Sequence, residues 1–302
     1  MGLILMTGDS MSDANALKNA SVGICMGSGC SVTKDNSDLV LLKDDFFSIF
    51  NAIMWGRTIF ENVRKYVQFQ LTMNISIALV VFFSCVVCGK PPFNVIQLLW
   101  INLNMDVFGA IALCTEPFIS RTKEKADPSN IKNKRISRRD KLIVNIMWRN
   151  ILTVTAYQVL VMIILMFIGQ VMFFDESFNI ITEPSYKKVS ETQDDGTSKN
   201  VNKPTNRLVL NTICVHTFMI MNLFNMLCSR NLSEKSMNFF RNIHHSWFFI
   251  FSFLAQITIQ NGMQFGASRK DMPMIGFVLG NCEMSLGQHI TCWSLGVGVI
   301  IV

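Results

Sequence analysis

The chain has 302 residues, 50% of them hydrophobic and 16% charged, against about 25% charged in an average soluble domain. The length allows one or two domains, but the composition excludes a water-soluble chain of ordinary make-up. The net charge of +6 calls for no nucleic-acid partner, because it traces to a basic stretch at residues 121–149 that suits anionic lipid headgroups.

Residues 1–45 read as the end of a soluble α/β domain. A short buried strand at 2–6 leads into the polar turn Thr7-Gly8-Asp9-Ser10. A helix at 13–19 follows, then a strand at 22–26 that ends on Gly27 and Gly29, then a third strand at 39–42. So little chain buries too small a fraction of its surface to close a core, so an upstream stretch or a partner chain is expected to complete it. Residues 46–65 form an amphipathic stalk helix with Phe46, Phe50, Ile53, Met54 and Phe60 on one broad face. Nothing rich in Pro or Gly separates it from the next apolar run, which predicts one rod to about residue 88, roughly 65 Å long at 1.5 Å per residue.

Six runs with almost no charge make up the membrane domain, residues 66–302. They lie near 66–88, 93–115, 150–174, 208–229, 246–265 and 284–302. A helix needs about 20 apolar residues to cross a bilayer; five runs meet that length, and the sixth stops where the chain stops. Barrel strands would be about 10 residues long and would alternate, which these runs do not. Lipid offers no partners for backbone polar groups, so the expected fold is mainly α, a polytopic bundle of about six spans. Lys90-Pro91-Pro92 makes a tight turn between the first two spans. Residues 175–207 are polar and of mixed charge, expected to be a poorly ordered external loop. Nineteen of the 27 Lys and Arg residues precede the first span or sit in the second and fourth inter-span loops, which predicts a cytosolic N-terminus. The nine cysteines do not suggest a disulfide framework, and Cys85-x-x-Cys88, although spaced like a zinc pair, falls inside a lipid-embedded helix.

Asp106 is the most informative position. A carboxylate within a span costs several kcal/mol, so it has a partner or a task. Asn102 lies four residues earlier on the same helix face, and Gln68, Gln70, Thr72, Asn74 and Ser76 place polar atoms at similar depth on the first span. Asn102 and Asp106 offer oxygens to a hard cation; the alternative is a polar pair that only pins two helices together. Calcium takes six to eight oxygens, more than these two side chains supply, so water or a further helix has to contribute. The second candidate is Asp9 and Asp13, four apart after a strand, which suit either Mg²⁺ near phosphates or the capping of a helix.

The segment from Thr7 to Met26, TGDSMSDANALKNASVGICM, resembles the hinge of P-type ATPases, TGDGxNDxPALKxADxGxAM. Residues 54–72, MWGRTIFENVRKYVQFQLT, and 98–117, LLWINLNMDVFGAIALCTEP, resemble the fifth and sixth membrane helices of plasma-membrane-type calcium pumps. Asn222-Leu-Phe-Asn225 and Arg230 are similar to the eighth helix and the loop after it. The resemblance covers essentially the whole chain in order. It implies that residues 1–45 end a HAD-like phosphorylation domain and that the six spans are membrane helices five to ten. It further implies that Asp9 binds the catalytic Mg²⁺ beside Thr7 and Gly8, that Asp13 is the second hinge carboxylate, and that Asn102 and Asp106 are Ca²⁺ ligands with Asn74 near the ion path. Ile77 and Met105 stand where two-site reticulum pumps carry Glu and Thr, so the resemblance favours a single-site pump of the plasma membrane or of an intracellular, vacuole-like store.

Among the positions that depart from the hinge pattern, Ser10 replaces Gly, Ser12 replaces Asn and Asn15 replaces Pro. No DKTG, TGE or Pro-Glu-Gly motif occurs in the chain. ATP binding, the phosphorylated Asp and part of the ion cage are therefore expected from an upstream half or partner chain, and the 302 residues alone are expected to be inactive. A non-catalytic pump-derived subunit and a passive cation pathway are the alternatives.

Overall fold

A computed structural model describes residues 4–89, 91–115, 142–174, 186–192, 198–204, 206–230, 247–268 and 284–300. They are mainly helical and fall into two compact units that divide between Glu61 and Asn62. In the first unit, strands β1 (Leu5–Gly8), β2 (Val22–Cys25) and β3 (Leu39–Val40) form a parallel sheet in the order β1-β2-β3. Parallel neighbours need crossover connections, which α1 (Ala14–Asn19) and α2 (Ser31–Asp35) provide. Leu17, Ile24 and Cys25 are almost wholly buried between these elements.

The first strand lies later than the apolar run suggests. Thr7 and Gly8 pair with Ile24 and Cys25, because backbone pairing continues through a polar residue when its neighbour strand is in register; residues 1–3 lie outside the described set. The chain then turns through a 3-10 segment, Met11–Asp13, before α1 begins. The sequence reading also missed α2, which is too short to show a period. It is held instead by one buried hydroxyl: Thr33 Oγ1 donates to the Ser10 carbonyl at 2.8 Å.

Helix α3 (Phe46–Cys88) is a single 43-residue helix, as its unbroken pattern predicts. It ends where Gly89 adopts φ of 68°, and the Gly89 N–H donates to Cys85 O at 3.1 Å, a left-handed stop that a residue without Cβ adopts cheaply. Helix α4 (Val95–Cys114) starts on a capping box, in which the Asn94 N–H donates to Gln97 Oε1 at 2.8 Å.

The second unit continues with α5 (Asn145–Phe174), α6 (Asn206–Ser229), α7 (Trp247–Ser268) and α8 (Leu286–Val297). Among the described residues, α3, α4, α5 and α6 are long and apolar enough to cross a bilayer, and the protein is an integral membrane protein. The fifth and sixth runs of the sequence are the helices α7 and α8. Helix α6 packs on α4, α5, α7 and α8, with Phe218, Met221 and Asn222 fully buried. The bundle has a largely apolar outer surface and an interior in which polar side chains are buried among apolar ones. Leu99, Leu103, Leu160, Phe251 and Ile290 are exposed, while Gln97, Asn104, Gln158, His216, Asn222, Gln256 and Gln260 are buried. Apolar surface has no reason to hide from lipid, whereas polar side chains gain from meeting one another.

One expectation is corrected. Part of the stretch at 175–207 is an antiparallel hairpin, β4 (Tyr186–Thr192) with β5 (Ser198–Pro204). The register sets Val189 opposite Val201 and Glu191 opposite Lys199. Asp195-Gly196 between the strands is a hairpin signal that the polar composition of the stretch obscured.

The α6–α8 contact depends on the lack of a side chain at Gly296, where a Cβ would stand 2.2 Å from Ile220 Cγ2. Gly296→Leu should therefore destabilise the bundle by about 1–3 kcal/mol through overpacking. Gly262→Ala, at a helical position with nothing within 4 Å of the added methyl, should stabilise by about 1 kcal/mol. Denaturant unfolding of the detergent-solubilised chain, followed by circular dichroism, checks both signs.

Candidate functional site

The first candidate lies at the carboxyl ends of the parallel strands, where open α/β sheets present their ligand-binding loops. Asp9 follows β1 directly and is exposed. Its backbone is fixed on both sides: the Met26 N–H donates to Gly8 O at 3.2 Å and the Cys30 N–H to Asp9 O at 3.1 Å. Thr7 and Gly8, the last two residues of β1, are half-buried. Asp13 is engaged differently. Its Oδ2 accepts from Ser10 Oγ at 2.9 Å and from the Ser10 N–H at 3.3 Å, and Ser12 Oγ reaches Oδ1 at 3.4 Å. The Ser10 hydroxyl, then its backbone N–H, hold the Asp13 carboxyl below the usual carboxylate range. Asp9 and Asp13 thus share one turn but divide the work: Asp13 braces the turn, and Asp9 keeps its carboxylate towards solvent.

Asp44 was missed by the sequence reading. Its Oδ1 accepts from the Gly27 N–H at 2.7 Å and the Ser28 N–H at 3.3 Å, and the Ser28 hydroxyl, followed by these backbone groups, lowers its pKa. It orders the loop after β2, beside the turn that carries Asp9. Nothing in its spacing signals this, because the bond spans 17 residues.

The second candidate lies between α3 and α4. Asn102 and Asp106 stand one turn apart on α4, both half-buried. Gln70 on α3 donates from Nε2 to Asp106 Oδ1 at 2.5 Å. Two further oxygens at this level, Gln70 Oε1 and Asn102 Oδ1, are buried and have no hydrogen-bond partner among the described residues. The helices are kept close here by Gly109, where a Cβ would stand 2.6 Å from Phe69 Cε1. One end of the pair is tied by Asn62, whose Nδ2 donates to Cys114 O at 3.2 Å.

The polar residues of α3 separate into two rows. Gln68, Thr72 and Ser76 are buried in the bundle, with Thr72 Oγ1 donating to Gln68 O at 2.8 Å. Gln70 is half-buried and Asn74 is exposed. The structure therefore joins Asp106 to Gln70, sets Asn102 on the same face, and leaves Asn74 one turn beyond Gln70 on the outer side of α3. Carboxylate and amide oxygens in this setting suit a hard cation. Sequence reasoning placed Gln70 at the right depth, but which of five polar side chains meets Asp106 depends on how α3 is rotated against α4.

Comparison with known proteins places this geometry in a family. Residues 90–302 match the family described as cation transporting ATPase, C-terminus. The chain is 34% identical over 261 residues, 85% of its length, to calcium-transporting ATPase 12, plasma membrane-type, of Arabidopsis thaliana. It is 34% identical over 248 residues, 82% of its length, to calcium-transporting ATPase 1, plasma membrane-type, of Oryza sativa subsp. japonica. Those alignments cover 21% and 20% of the two relatives, so the chain spans about a fifth of the length of each. With the match running across all of α4 to α8, the chain belongs to the P-type cation-transporting ATPase family, in the region that forms its C-terminus.

Proposed function

We propose that the chain supplies the hinge, stalk and last six membrane helices of a single-site transporter that uses ATP to export Ca²⁺ from the cytosol. The observation that carries this reading is the Asp106 carboxylate, set between α3 and α4 beside the unpartnered oxygens of Asn102 and Gln70. Relatives named as calcium-transporting ATPases support the choice of ion. On this reading the first unit is cytosolic, and Asn102, Asp106 and the nearby Asn74 belong to the ion path, in the plasma membrane or an intracellular store.

The residues of the first unit fit Mg²⁺. Asp9 presents an exposed oxygen ligand at the carboxyl end of β1, and Mg²⁺ binds through one or two carboxylates together with phosphates. When bound, the ion offsets phosphate charge. Asp9 would hold it, the backbone at Thr7 and Gly8 would position that carboxylate, and Asp13 would keep the turn in shape.

Two surfaces support a requirement for an upstream half or partner chain bearing the phosphorylated Asp and the ATP site. Asn74 is exposed at a depth where lipid cannot satisfy an amide. In the first unit, a cavity of about 480 Å³ opens between Ile4, Leu5, Val22 and Leu39 of the sheet and Ile53 and Phe60 of α3, an apolar surface that water covers poorly. On this reading the isolated chain in liposomes hydrolyses no ATP in response to Ca²⁺. Co-expressed with a polypeptide that supplies the phosphorylation and nucleotide domains, it should drive ATP-dependent ⁴⁵Ca²⁺ uptake, and Asp106→Asn should reduce that uptake by about a hundredfold or more. Calcium-stimulated hydrolysis by the chain alone would refute its dependence on a partner, and uptake untouched by Asp106→Asn would refute the site.

A second reading, a non-catalytic pump-derived subunit, is favoured by the Ser10–Ser12–Asp13 hydrogen bonds, including Ser10 Oγ to Ser12 Oγ at 2.6 Å, which stand where the family pattern has Gly and Asn. These bonds have a measurable consequence. A folded-state pKa below the unfolded value contributes stability that is present above the unfolded pKa and lost as pH falls through the folded one. Ser10→Ala should therefore raise the Asp13 pKa towards its ordinary value, read by carboxyl ¹³C NMR of the labelled chain, and weaken the turn near neutral pH. An unchanged titration would show that the hydroxyl does not hold the carboxylate.

A further inference from the structure

Gln70 is the side chain of α3 that meets the Asp106 carboxylate. Its amide nitrogen is spent on Asp106 at 2.5 Å, while its amide oxygen is buried and meets no partner among the described residues. An amide carries a donor at one end and an acceptor at the other, separated by a half-turn of a single torsion. That terminal torsion is broad and roughly two-fold, so exchanging the ends needs no movement of the helix. The donor end is the one an ionised carboxylate requires when no cation is near. A hard cation seated at Asp106 requires the opposite, because it takes oxygens and is repelled by an N–H dipole.

We propose that Gln70 is an exchangeable ligand of the Asp106 site: its Nε2 holds the carboxylate while the site is empty, and its Oε1 turns in to coordinate the divalent cation when the site fills. The inference rests on the reading of Asp106 as part of a Ca²⁺ site and adds a residue to it. The site then draws one oxygen from α3, through Gln70, and the rest from Asn102 and Asp106 of α4, with water or further protein completing the six to eight that Ca²⁺ takes. It also links the two helices in both states, first by a hydrogen bond and then through the ion, so occupancy is registered by α3 as well as α4. A cation here would also satisfy Gln70 Oε1 and Asn102 Oδ1, two acceptors among the buried atoms that have no hydrogen-bond partner among the described residues.

Equilibrium ⁴⁵Ca²⁺ binding to the full 302-residue chain in lipid nanodiscs separates this role from a purely positioning one. Four forms are compared at pH 8: wild type, Asp106→Asn, Gln70→Met and Gln70→Glu. Methionine matches the length of glutamine and suits a helix but offers a hard cation no oxygen. Glutamate offers a hard cation oxygens in place of the amide's N–H donor. A ligand role predicts that Gln70→Met weakens binding by about tenfold or more, the loss of one good contact, while Gln70→Glu stays within about threefold of wild type. If Gln70 only steadies the carboxylate by donating to it, Gln70→Glu should be as weak as Gln70→Met, and that result overturns the proposal while leaving the Asp106 site intact. Equal binding by wild type and Gln70→Met overturns it as well. Binding that is absent in wild type, or unaffected by Asp106→Asn, overturns the site reading and the ligand role with it. Circular dichroism melting of each variant in the same nanodiscs establishes that the compared proteins are folded.

Discussion

A carboxylate at membrane depth is the constraint around which the second unit is organised. Placing Asp106 in a span costs about 2.5–3.5 kcal/mol at the helix centre, and the local structure answers that cost. Gln70 donates to it, Asn102 stands one turn away, and Gly109 lets Phe69 sit against α4 so that the two helices stay close at this level. A neutral partner is informative here. An Arg or Lys would neutralise the charge permanently and leave little for a cation to gain, whereas an amide steadies the carboxylate and can still be displaced.

The rest of the bundle shows how the membrane changes the rules of packing. Many apolar side chains face outward, and amides, hydroxyls and a histidine share the interior with buried Phe, Met and Ile side chains. Gln158 Nε2 reaches Asn222 Oδ1 at 3.4 Å, and Gln260 Nε2 donates to His216 O at 3.1 Å, joining α6 to α5 and to α7. These contacts hold neutral partners together between helices, worth about 0.6 kcal/mol each in a membrane setting. They make α6 the hub of the unit through neutral partners.

Much of this was legible in the sequence because membrane helices advertise themselves by uninterrupted length. Residues 46–88 contain no Pro and a lone Gly, Gly56, and one helix covers all of them. Asp106 stood out because an isolated charge inside an apolar run needs a reason. What the sequence could not convey were facts set by three-dimensional neighbours. The short α2 depends on Thr33 reaching back to Ser10, and Asp44 acts on a loop 17 residues away. The β4–β5 hairpin carries its signal in Asp195-Gly196 and in cross-strand register rather than in hydrophobicity. In the acidic turn, spacing alone treats Asp9 and Asp13 as equivalent. Only the bonds from Ser10 and Ser12 distinguish the carboxylate that braces the turn from the one left facing solvent.

The two polar rows on α3 bear on the choice between a cation site and a polar clasp between helices. If the polar residues served only to clasp α3 to its neighbours, they would all be buried against those neighbours. Gln68, Thr72 and Ser76 behave that way. Gln70 and Asn74 do not: Gln70 is half-buried and bonded to Asp106 of α4, and Asn74, one turn further on, is exposed. A row of amides that runs outward from a carboxylate is wasteful as adhesive, because its outer members meet lipid that cannot bond to them. It makes physical sense where further protein or water meets that face, and where the oxygens are kept for a ligand that comes and goes. The same helix therefore carries its structural polar residues and its proposed functional ones side by side, separated only by a rotation of its surface.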